Sequence, residues 1–135
     1  MKGLFYHIDL ADNCTLSLLR FYENGYVIYK KITGNKKDYF AKELKTFSMN
    51  GHMVNGAPEF TFCGAFDYGE NTISFKIENE IPDSSDTWVQ KDVLSFKGKI
   101  ISEDELFLKS VSKRTKFETE NTYLKITEQE LLDKL

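Results

Sequence analysis

Proline is scarce in this chain, with two in 135 residues, and no low-complexity tract breaks it. Nothing marks a linker, so residues 1–135 read as a single domain, long enough to bury roughly two thirds of its unfolded surface. Cysteine is equally rare. Cys14 and Cys63 alone make no disulfide framework and no C-x-x-C pair. Histidine is limited to His7 and His52, whereas a zinc site needs three or four suitably spaced ligands, so no metal is expected. An excess of positive charge is missing too, because 18 Lys and Arg face 21 Asp and Glu, for a net charge of −3. The short basic groups Lys30-Lys31, Lys36-Lys37 and Lys113-Arg114-Lys116 are diluted by acids and form no stripe for a phosphate backbone, which argues against a nucleic-acid partner.

Long apolar runs are absent as well. No stretch approaches the ~20 residues of a membrane helix. The opening "MKGLFYHIDLADN" is interrupted by His7 and Asp9, too early for a secretory leader. The expectation is a reduced, cytoplasmic protein with no membrane partner. Catalytic signatures are likewise missing: no glycine-rich phosphate loop, no nucleophile elbow, no H-E-x-x-H. The paired acids Asp67/Glu70, Asp83/Asp86 and Glu103/Asp104/Glu105 fall at turns, where carboxylates bond the local backbone. No enzyme and no cofactor are expected from these residues.

What the chain does have is aromatic residues, 14% of the total, supplied by eleven Phe, seven Tyr and one Trp. They lie in runs that alternate with turn residues. "LLRFYENGYVIYKK" joins two such runs through Asn24-Gly25, and Asn-Gly favours a type I′ hairpin in which both central residues take positive φ. With "LFYHIDL" upstream, three strands form a meander. "EFTFCGAFDY" puts Phe60, Phe62, Gly64, Phe66 and Tyr68 on one face at a period of two, and "TISFKIE" does the same with Ile73, Phe75 and Ile77. "TWVQKDVLSFKGKI", "ELFLKSV" and "TKFETENTYLKI" complete eight strands.

Two segments break the pattern. In "NKKDYFAKELKTFSMNG", Tyr39, Phe40, Leu44 and Phe47 fall near one helical face, which predicts a helix at 37–48 followed by the loop "HMVNGAP". Thr127 and Glu130 form a T-x-x-E capping box that opens a short terminal helix through Leu132. A helix that short must dock on something.

Eight strands joined mostly by short turns are antiparallel neighbours. Such a meander either exposes two edges or closes on itself. The expected fold is all-β with one inserted helix: an eight-stranded up-and-down β-barrel, with a β-sandwich as the alternative. "FCGAF" and "FKGKI" each set a glycine between large apolar residues on one face. Each glycine either bends its strand at a barrel corner or makes space for a bulky neighbour.

With these residues placed, the chain resembles small bacterial lipocalin-like proteins. "LRFYENGYVI" is similar to their "LRFYxDGxVI" stretch, "GAF…NTISF" to a "GxY…xxIxF" hairpin, "FKGKIISEDELFL" to "YxGxIxxDxLxL", and "NTYLKI" to a closing "xxYxFV" strand. The resemblance implies a barrel whose interior takes a small hydrophobic molecule. Candidate lining residues are Phe21, Ile28, Phe62, Phe66, Phe75, Phe96 and Leu108. Arg20 joins them as a conceivable clamp for a carboxylate, since guanidinium matches it bidentately. The family-like pattern turns Leu19 and Phe21 inward and Arg20 outward. Leu16 and Leu18 share the face of Arg20, however, so strand two is apolar on both sides and either row can face in. A different reading makes the barrel a solid scaffold for a protein partner, bound by the 37–48 helix and adjacent loop through Tyr39, Met49 and Met53.

Overall fold

In a computed structural model the chain forms a closed barrel of eight antiparallel strands in sequential order. The structure describes residues 1–9, 15–33, 61–78 and 93–134, with 41, 42, 44, 45 and 47; only the backbone is described at 33 and 61–63. The strands are β1 (Gly3–Asp9), β2 (Thr15–Phe21), β3 (Tyr26–Thr33), β4 (Thr61–Tyr68), β5 (Thr72–Glu78), β6 (Val93–Ser102), β7 (Glu105–Ser112) and β8 (Glu118–Ile126). Closure comes from β1 and β8, where Leu4, Phe5 and Tyr6 stand opposite Ile126, Lys125 and Leu124. The barrel, and not the sandwich, is the fold. Every strand thereby has two neighbours and the sheet has no edge.

The turns follow their side chains, with one departure from expectation. Gly25 N–H donates to the Tyr22 carbonyl at 3.1 Å, Tyr26 N–H donates to Asn24 Oδ1 at 3.1 Å, and Gly25 has φ +85°. Asn24 does not share that sign, since Lys116 is the one non-glycine with positive φ among the described residues. The hairpin is therefore an ordinary turn closed by a left-handed glycine, not the type I′ form. Tyr22 N–H donates to the Tyr26 carbonyl at 2.9 Å, so the turn proper is Glu23-Asn24-Gly25, which needs a left-handed residue only at its last position. β8 begins at Glu118, not at Thr115. Ser112 holds the preceding residues in a turn: its carbonyl accepts from Lys116 N–H at 2.9 Å and its hydroxyl from Thr115 N–H at 3.2 Å.

Both cores now have a place. Inside the barrel lie Phe5, Leu19, Phe21, Val27, Tyr29, Phe66, Ile73, Phe75, Ile77, Phe96, Leu106, Leu108 and Tyr123. A second cluster covers the outer face of β1–β3, where Leu4, Leu16, Leu18, Ile28 and Ile32 meet Leu44, Phe47, Ile126 and Leu131. Leu131 belongs to α1 (Glu128–Lys134), capped as expected by Thr127, whose hydroxyl accepts from Glu130 N–H at 3.2 Å and donates to its carboxylate at 2.9 Å. The outer cluster explains why β2 is apolar on both faces: one row fills the barrel and the other receives α1 and the Leu44–Phe47 segment.

Ala41, Lys42, Leu44 and Lys45 are helical, inside the helix expected at 37–48. Apart from Phe47, the rest of the segment 37–48, with Tyr39 and Phe40, lies outside the described residues, as do residues 48–60, with Met49 and Met53, and residues 79–92.

The two strand glycines sit where backbones close in on each other. A Cβ on Gly98 would overlap the Phe107 carbonyl oxygen and come within 2.9 Å of Leu108 Cα, and one on Gly64 would overlap the Lys76 carbonyl oxygen. At both glycines the first obstacle is the backbone of the next strand, and at Gly64 the Ile77 side chain also comes within 3.2 Å, so close backbone approach and a bulky neighbour both bear on that position.

Candidate functional site

Alternation from Phe5, Leu19, Tyr29, Phe66, Phe75, Phe96, Leu108 and Tyr123 defines the inner row of each strand. On β4–β6 the body of that row is carbon: Phe66, Ile73, Phe75, Ile77, Leu94, Phe96 and Ile100, spaced by Gly64 and Gly98, with Tyr68 exposed at the end of β4. The rings form a connected chain. Phe5 meets Phe21 edge-on at 5.6 Å, Phe21 meets Phe66 at 5.1 Å and Phe75 at 5.6 Å, and Phe75 stacks on Phe96 at 4.7 Å. Tyr29 closes the chain against Phe96 at 5.4 Å. Edge-to-face and offset pairs of this kind each add about 0.5–1.5 kcal/mol beyond their buried area.

On β7, β8, β1, β2 and β3 the inner row changes character. Ser110, Thr119, Asn121, Tyr123, His7, Ser17 and Tyr29 bring polar atoms into the interior. Tyr29, Tyr123 and Ser17 are all buried. Both phenols share hydrogen bonding with the Ser17 side chain, and Tyr123 also with Asn121. Ser110 and Thr119 join hydroxyls at 2.5 Å across the β7–β8 ladder. The His7 ring lies 5.9 Å from that of Tyr123, with Nδ1 3.2 Å from the Thr122 carbonyl oxygen, so the tautomer that makes this bond carries its proton on Nδ1.

Burial pushes the Tyr29 phenol above its ordinary pKa, against a smaller pull from Ser17. Burial likewise raises Tyr123, with Tyr29 beside it adding to the effect and Ser17 and Asn121 opposing it. Both phenols therefore stay protonated well past neutral pH and remain hydrogen-bond donors. Charged side chains of the inner row occur only at strand ends among the described residues, as Asp9, Lys31 and Lys125, all exposed. No three His, Cys, Asp or Glu side chains come together as metal ligands would among those residues. No helix among them is long and apolar enough to cross a membrane.

Of the residues singled out from sequence, Phe21, Phe66, Phe75, Phe96 and Leu108 meet inside the barrel. Ile28 and Arg20 do not, and their expected place among the lining residues is corrected. Ile28 packs in the outer cluster. Arg20 faces outward, where Nη2 donates to Glu128 of α1 at 2.6 Å and the guanidinium lies 5.6 Å over the Phe47 ring. The physical reason is register: Leu19 and Phe21 take the interior, which leaves Arg20, paired with Ile28 across the ladder, to the wall that α1 covers. The side chain of Phe62 lies outside the described ones.

Sequence reasoning missed Tyr29, Tyr123, Ser17 and Asn121. A signal for Tyr29 existed, since the Asn-Gly hairpin sets it opposite Leu19 and so on the same face. No family model, curated protein or solved structure matches the chain.

Proposed function

We propose that the barrel interior binds a small hydrophobic molecule whose polar end meets the Tyr29–Tyr123–Ser17–Asn121 group while its apolar body lies along Phe21, Phe75 and Phe96. One observation carries this reading: an aromatic interior that also holds two buried, protonated phenols sharing one serine. An apolar core needs no hydroxyls to be filled, and each one it holds must find a partner there or cost about 1–3 kcal/mol. Binding sites, by contrast, pair apolar walls with a few polar groups that fix orientation. Barrels of eight strands are either just filled by side chains or hold one small ligand.

The test is uptake of diphenylhexatriene, which fluoresces on leaving water, by the full chain. Saturable enhancement that Phe75→Trp or Phe96→Trp lowers supports the proposal. An unchanged signal with the folded protein opposes it.

A further inference from the structure

The polar group inside the barrel has a definite chemical bias. Its strongest fixed feature is a pair of buried phenol donors, Tyr29 on β3 and Tyr123 on β8, with only β1 and β2 between their strands around the barrel. A phenol has one hydrogen to give, and Ser17 has one hydrogen and two lone pairs. Rotation of these hydroxyls turns one or both donors toward a guest oxygen without leaving Ser17 unpaired. Among the described residues the inner row brings no lysine or arginine beside them. Lys31 and Lys125 are at the rims and exposed, and Arg20 is held on the outer wall by Glu128 and Phe47. A carboxylate, phosphate or sulfate at the phenols would be buried without a counter-charge, which is strongly unfavourable. A ketone, aldehyde, ester or alcohol oxygen needs only donors.

Resting on the reading of the interior as a binding site, we infer that its ligand is an uncharged apolar molecule with a single hydrogen-bond-accepting oxygen, held by Tyr29 and Tyr123, and not a fatty-acid-like anion. The guest oxygen accepts the phenol hydrogens, and the aromatic chain from Phe96 to Phe21 takes the remaining carbon.

Three ten-carbon probes separate the possibilities: 2-decanone, 1-decanol and decanoate, titrated at pH 8 into full-length protein carrying 13C-labelled tyrosine. The ring signals are assigned through Tyr29→Phe and Tyr123→Phe. The expected result is saturable shifts at both rings, with the ketone and the alcohol binding at least tenfold more tightly than decanoate. The double Tyr→Phe variant lowers ketone affinity at least fivefold; the ratio of ketone to decanoate in the unaltered protein needs no variant to fold. Decanoate binding as tightly as the ketone overturns this inference alone, and loss of that binding in Lys31→Met would place the head group at the rim. Binding of none of the three, with no uptake of diphenylhexatriene, overturns the reading of the interior as well.

Discussion

Tyr29 on β3 and Tyr123 on β8 belong to strands that do not pair, yet their phenols meet over one serine hydroxyl, that of Ser17. The barrel brings this about by closing. β8 joins β1, β1 joins β2, and β2 joins β3, so the two tyrosines approach from either side of the strand that carries Ser17. An open sheet of the same strands would leave them far apart.

Loss of the shared hydroxyl should therefore matter more than loss of either phenol. Ser17→Ala removes a partner from two buried groups and is expected to cost about 1–3 kcal/mol. Tyr29→Phe or Tyr123→Phe alone leaves Ser17 with the other phenol and costs about 1 kcal/mol. Urea unfolding of the three variants, combined as double-mutant cycles with Ser17→Ala, would show coupling between the sites.

Alkaline stability follows from the same geometry. Both phenols have pKa values raised by folding, so the native state keeps their protons after the unfolded chain has released them. Stability contributed in this way is intact below about pH 10 and falls as pH rises further, by about 1.4 kcal/mol per unit for each phenol. The Tyr29→Phe/Tyr123→Phe variant is expected to lose the steep part of this decline. Thermal melts between pH 8 and 11.5 measure it, and a phenolate absorbance titration should show two groups that ionise at higher pH than free tyrosine.

The strand glycines Gly64 and Gly98 give a sharper test of the barrel itself. Gly98→Ala would press a methyl group into the backbone of β7, and Gly64→Ala into that of β5. Neither obstacle is a side chain that can swing away. Each substitution is expected to destabilise by about 3 kcal/mol or more, at the upper end for overpacking. By contrast Gly69→Ala, where a Cβ would meet only Thr72 Oγ1 at 3.4 Å, should be nearly silent. Denaturation midpoints of the three variants decide the matter.

On the outer wall, α1 is held by one buried leucine and one ion pair. Leu131→Ala is expected to cost about 2–4 kcal/mol, since the side chain is fully enclosed by the outer cluster. Glu128→Ala should cost less, about 0.5–1 kcal/mol, because the carboxylate of Glu128 is half exposed. Arg20→Met is expected to be close to neutral or even favourable: it removes the pair together with a buried Nε that has no hydrogen-bond partner, and keeps contact with Phe47. Calorimetric melts would rank the three.

The strands were legible because period-two alternation and turn residues act locally. "TISFKIE" alternates exposed and buried without exception. Closure was legible only by argument from edges, since no residue of β1 or β8 announces its partner. The faces of β2 were illegible for a physical reason: both are buried, so Leu16, Leu18, Leu19 and Phe21 carry no contrast from which to choose. That is why Arg20 and Ile28 were grouped with the interior. Aromatic lining residues stood out by type, whereas Ser17 and Asn121 are small polar residues of the kind that turns and surfaces hold everywhere. Only their position beside two phenols gives them meaning, and that position depends on contacts over a hundred residues apart in sequence.

The most direct measurement is a set of isotope-filtered NOEs between unlabelled 2-decanone and the labelled protein. The acetyl methyl should contact the Tyr29 and Tyr123 rings, and the far end of the chain should contact Phe21 and Phe75. Contacts confined to exposed outer residues such as Ile101, Phe107 and Leu124, or no intermolecular contacts at millimolar ketone, would contradict a ligand held inside the barrel.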